Sequence, residues 1–88
     1  MLYMISYSFK PEHREAAVAR FKETGGLPPE GCKMVGRWHS ATMGGGFTLA
    51  EADSVEAVAM WSHKWADLLK FEVMPVMDDE QVGKVLAT

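Results

Sequence analysis

Trp61 and Trp65 stand one helical turn apart and therefore share a face. With Trp38 they make three tryptophans in 88 residues. An indole buries a large area and its N–H needs a partner. The pair therefore reads as packing of a helix on a sheet, or as the aromatic wall of a pocket for a planar ligand. Both hold together if the core is hollow at one end. Trp38 and His39 point to opposite faces of an extended strand, so both cannot enter one cavity. An imidazole is suited to proton exchange near neutrality, which makes His39 a candidate base; the plain alternative is an interface or surface histidine. Glu51 falls in phase with Phe47 and Leu49, where simple alternation directs it inward. A carboxylate against aromatic walls is a second candidate base, and a rim carboxylate paired with a nearby cation is its ordinary alternative. Glu72, at the start of a strand, carries the same two readings. His13, near a helix start, and His63, turned away from the tryptophan stripe, read as surface residues.

Other chemistries lack their residues. Cys32 is the sole cysteine, so neither an intrachain disulfide nor a cysteine zinc cluster can form. Its only positive neighbour, Lys33, points the other way in an extended strand, so nothing marks it as a nucleophile. No His-x-x-x-His pair with a glutamate and no facial triad is present, so no metal is expected. Gly44-Gly45-Gly46 lacks a following Lys-Ser/Thr and leads into a strand, which rules out a phosphate loop. No cofactor is expected. The seven methionines suit an adaptable apolar cavity or an ordinary core.

These residues are positioned by alternating elements. Residues 2–9 read as a first strand, with Leu2, Met4, Ser6 and Ser8 on one face and Tyr3, Ile5, Tyr7 and Phe9 on the other. Pro11 opens a helix, Ala17, Val18 and Phe21 form its apolar stripe, and Gly25-Gly26 stops it. A second strand runs from Lys33 to Thr42, with Met34, Gly36 and Trp38 on one face and Val35, Arg37 and His39 on the other. Met43-Gly44-Gly45-Gly46 makes the hairpin into a third strand, Phe47 to Ala52. Asp53 caps a second helix, with Glu56 as the reciprocal half of a capping box, and Val58, Trp61, Trp65 and Leu68 follow at helical spacing. A fourth strand spans Phe71 to Met77, and Pro75 marks it as an edge. A short helix over 79–86 places Val82, Val85 and Leu86 on one face. The order βαββαβ is an α+β, ferredoxin-like plait with an antiparallel sheet, one domain over residues 1–88.

Two helices cover only one sheet face. The other stays partly apolar, and a soluble monomer rarely exposes such a patch. A second copy packed sheet to sheet would cover it, so the expected partner is the chain itself, as a homodimer. The net charge is −3, from nine basic and twelve acidic residues. The basic residues are scattered, so nucleic acid is not expected. No apolar run approaches a membrane span, and the chain opens directly as a strand with no basic leader. A cytoplasmic location is expected.

Several segments together resemble one family: Leu2-Tyr3-Met4-Ile5 through Phe9-Lys10, Leu27-Pro28-Pro29-Glu30-Gly31, Trp38, and Trp61 with Trp65-Ala66-Asp67-Leu68 and Phe71-Glu72-Val73-Met74-Pro75-Val76. The chain is similar over nearly its whole length to a small bacterial family best known as a domain of unknown function. That family lies within the dimeric α/β-barrel superfamily of ferredoxin-like plaits. The resemblance implies the fold and the dimer, and it leaves the activity open. Relatives in the superfamily include cofactor-free monooxygenases of quinones, lactone isomerases, haem-binding enzymes and amino-acid-sensing domains, and function lies in the site, not the fold. The leading expectation is a pocket for a planar or aromatic molecule. Trp38, Phe47, Trp61 and Trp65 form its walls, and Glu51 or His39 supplies the polar contact. Catalysis there would be proton abstraction followed by isomerisation or cofactor-free oxidation. The competing expectation is a non-catalytic dimeric binding or assembly module.

Overall fold

Alternation of apolar residues on both faces of the first segment makes it the natural centre of a sheet, and that is its place. The computed structural model describes all residues 1–88. Strand β1 (Leu2–Ser8) pairs antiparallel with β3 (Gly45–Ala52) on one side and β4 (Lys70–Val76) on the other. Strand β2 (Cys32–His39) pairs with β3, which gives the order β2-β3-β1-β4. β4 is therefore an edge, where Pro75 lacks no needed donor.

A 3-10 turn at Pro11–His13 runs into helix α1 (Arg14–Thr24), which stops at Gly25 in the left-handed region. Helix α2 spans Val55–His63 and α3 spans Asp79–Leu86. Ser54, not Asp53, caps α2: its side chain accepts from the Ala57 amide at 3.3 Å. The cap lies one residue later than expected, so Ala57 takes the third helical position and Glu56 cannot close a capping box. The capping box of the chain is at α3, between Asp78 and Gln81.

The core lies between the sheet and α2. Tyr3 and Ile5 from β1 meet Ala50 and Ala52 from β3, with Val58, Trp61 and Trp65 above them. The helix-side residues of β3 are all small: Gly46, Thr48, Ala50 and Ala52. Over Ala50 and Ala52, Ala57 and Val58 bring α2 down onto the sheet, and all four are buried. Over Gly46 and Thr48 the cover is α1, whose Ala17 alone is buried. The sheet surface is low there and the helix stands off, so a hollow remains.

Strand β2 departs from simple alternation. Its register with β3 shifts at Val35, a β-bulge between Met34 and Gly36. One extra residue reverses the phase of the rest of the strand. Cys32 and Met34 therefore share the helix face with Arg37 and His39, while Gly36 and Trp38 face away. The expected grouping of Met34 with Trp38 fails for this reason. The hairpin also lies earlier than expected: β2 ends at His39, Gly45 and Gly46 belong to β3, and the turn is Ser40 to Gly44 with Met43 at φ 63°.

The face away from the helices carries Leu2, Met4, Leu49, Met74 and Val76 with Trp38 and Phe47. Trp38, Phe47 and Met74 are more than half exposed. α3 buries none of its residues, and Val85 and Leu86 stand open.

Candidate active site

The hollow is a cleft of 470 Å³ between the helix face of the sheet and helices α1 and α2. Ile5, Phe71, Val18, Phe21, Trp61 and Trp65 make its apolar walls. Trp61 and Trp65 are buried in the core and also line this space. Trp65 lies just past α2, in the turn leading to β4, and its carbonyl accepts from Leu69 at 2.9 Å. Arg20 holds that turn. It donates to both carboxylate oxygens of Asp67, at 2.8 and 2.7 Å, and to the Lys64 carbonyl, with its guanidinium 5.3 Å from the Trp65 ring centre.

One polar pair enters the apolar space. Tyr7 on β1 and His39 on β2 both stand opposite Gly46 of β3. They reach across the glycine, and the Tyr7 hydroxyl is hydrogen-bonded to His39 Nδ1. A Cβ at residue 46 would come to 2.6 Å from the Tyr7 oxygen, so the glycine is what lets the two side chains meet. His39 is exposed, and its Nε2 makes no hydrogen bond within the chain. Burial raises the Tyr7 pKa above its usual value, and Arg37 only partly offsets this. The phenol therefore stays protonated at neutral pH and keeps a proton to donate.

Arg37 frames the pair. It donates to the Gly26 carbonyl at 2.8 Å and the Gly25 carbonyl at 2.9 Å, and it lies 4.9 Å over the Phe21 ring. Phe21 in turn meets His39 edge-on, with ring centres 5.6 Å apart. Arg37 thus ties the end of α1 to β2 and orients the ring beside the imidazole.

The structure brings His39, Trp61 and Trp65 to this cleft. It does not bring Trp38, Phe47 or Glu51 there. All three lie on the opposite sheet face: Phe47 and Glu51 because β3 turns its odd residues away from the helices, and Trp38 because it pairs with Phe47 beyond the bulge in β2. Trp38 covers Gly36 and stands opposite Phe47. Glu51 is exposed and accepts from the Met1 ammonium at 2.7 Å. Glu72 is exposed on the same open face as Ser6. His13 is half-buried, His63 exposed. Burial, and next Asp53, raise the Cys32 pKa and keep it a thiol. The only metal donors at the cleft's polar end are one imidazole and one phenol, with no carboxylate or thiol beside them.

Tyr7, Arg37 and Phe21 were not among the site residues expected from the sequence. Tyr7 carried a usable signal, since it alternates with the core residues Tyr3 and Ile5. Arg37 shares the face of His39, as alternation predicts, but the bulge that turns that face towards the helices leaves no trace in the sequence.

The chain matches the model of DUF3303, a domain of unknown function, over residues 1–88, and it belongs to that family. No curated protein sequence matches it. Among solved structures it is similar to the Rv0793 protein of Mycobacterium tuberculosis, at 17% identity and a TM-score of 0.54, covering 89% of this chain and 96% of that one. It is also similar to a Deinococcus radiodurans protein provisionally described as an antibiotic biosynthesis monooxygenase, at 14% identity and a TM-score of 0.50, covering 89% and 94%. At these identities the likeness establishes the ferredoxin-like fold alone. No helix is long and apolar enough to cross a membrane.

Proposed function

We propose that the chain binds a planar or aromatic small molecule in the helix-side cleft and removes a proton from it, as a cofactor-independent isomerase or monooxygenase. The observation that carries this reading is the hydrogen-bonded Tyr7–His39 pair, placed beside Arg37 in a mainly apolar cleft, with a protonated phenol and an Nε2 that makes no hydrogen bond within the chain. Few, convergent polar groups in an apolar pocket are the usual form of a small-molecule site.

The hydrogen bond fits either imidazole tautomer, and the productive one carries its proton on Nδ1. In that tautomer His39 Nδ1–H donates to the Tyr7 oxygen, which leaves Nε2 with a lone pair and the phenol proton free to donate. Nε2 takes a proton from an acidic C–H or O–H of the substrate and becomes imidazolium. The electron pair stays on the substrate as an enolate or phenolate, stabilised by the Tyr7 O–H and by Arg37. Return of the proton at another carbon is isomerisation; capture of the anion by molecular oxygen is the first step of oxidation. The likeness to the Deinococcus protein's description supports the second route.

The assembly is proposed to be a homodimer through the open sheet face, where Trp38, Phe47 and Glu51 contribute to packing and not to the pocket. That exposed face also favours a second reading, a dimeric module with no turnover. Deuterium exchange decides between them. The probe is 2-tetralone, a flat bicyclic ketone whose C1 protons exchange with D₂O through the enolate. The protein should accelerate this exchange beyond free imidazole, and His39→Ala should lower the rate by about a hundredfold or more. Binding without accelerated exchange leaves the non-catalytic reading.

A further inference from the structure

The charges around the cleft are one-sided. Arg37 and Lys22 line it together with His39, and no aspartate or glutamate does. This occurs in a chain with three more acidic than basic residues. Arg37 is half-buried, yet the ion pairs of the molecule, Met1–Glu51, Arg20–Asp67 and Lys84–Glu80, leave it without a counter-ion. Its two bonds to the glycine carbonyls use two of the five guanidinium N–H groups. The Phe21 ring covers one side of it. Arg20 makes the contrast: it lies against Trp65 with a bidentate carboxylate to match. A cation withdrawn from water with no anion beside it is costly, and a charged ligand would supply the missing partner.

We propose that the ligand of this cleft is a planar aromatic anion, an aryl carboxylate or an acid of like chemistry, with its charged head among Arg37, Lys22 and the Tyr7–His39 pair and its ring against Trp61 and Trp65. The inference rests on the cleft reading above and adds the charge of the ligand. Burial lowers the Arg37 pKa, and Tyr7 acts against it, in keeping with a cation that lacks its counter-ion. Carboxylate recognition by arginine is directional and charge-assisted, so the head group rather than the ring should set selectivity.

Calorimetric titration with 1-naphthoate and with its neutral isostere 1-naphthamide tests this. The acid should bind about tenfold more tightly than the amide at low salt, and the margin should shrink as salt rises. Arg37→Gln should erase the margin. Lys22→Gln, on an exposed helix position where folding is not at risk, should reduce it, while Lys84→Gln, which removes the same charge far along α3, should leave it intact. Equal binding of acid and amide would overturn the charge assignment and leave the cleft reading standing. An equal loss in Lys22→Gln and Lys84→Gln would overturn it too, since only net charge would then matter. Failure of both probes to bind would remove the cleft reading itself.

Discussion

Trp65 joins the stability of the chain to its candidate chemistry, because it packs in the core and also lines the cleft. It is buried beside Trp61 and Val58 and lies against Arg20, whose other bonds fix the turn at Lys64 and Asp67. Trp65→Ala should therefore cost about 3–5 kcal/mol, a large part of the stability of so small a domain. Denaturant unfolding measures it. An unchanged midpoint would mean that the ring contributes nothing to the core. The helical spacing of Val58, Trp61 and Trp65 made their common face legible from the residues alone. The Tyr7–His39 pair was not legible in the same way. It depends on Gly46 lying between the two in register, and pairing register is a property of three strands that no one strand's alternation carries.

Among the elements, the four strands and three helices arise from local pattern, and the departures have local causes. Gly45 and Gly46 look like turn residues and are strand residues, since a backbone passing beneath Tyr7 has no room for a side chain there. The bulge at Val35 decides which of Trp38 and His39 meets the helices. Glu51, Phe47 and Leu49 were correctly in phase with one another, but alternation cannot say which face of a sheet the helices will choose. The face they leave open is the expected interface. A stable specific interface buries about 1,200–2,000 Å² in total, and the exposed Trp38, Phe47 and Met74 lie together on this surface. Trp38→Lys should convert a dimer into a folded monomer, because burying an unpaired ammonium there is costly. Light scattering at micromolar concentration checks this, and a wild-type chain that is already a monomer would refute it. A dimer would have a second apolar surface to cover in the open stripe of α3.

At the scale of the whole molecule, the two sheet faces have separate work. One holds the cleft, Tyr7, His39 and the Trp61/Trp65 wall; the other holds Trp38, Phe47 and Glu51. The three indoles report on this division, since each N–H gives its own proton resonance. Titration of the isotopically labelled protein with 1-naphthoate, with the indole signals assigned by single Trp→Phe variants, tests the location of the site directly. The account predicts that the Trp61 and Trp65 indole resonances move together with ligand concentration while that of Trp38 stays in place. Movement of Trp38 alone, with Trp61 and Trp65 unaffected, would place binding on the open sheet face and contradict it.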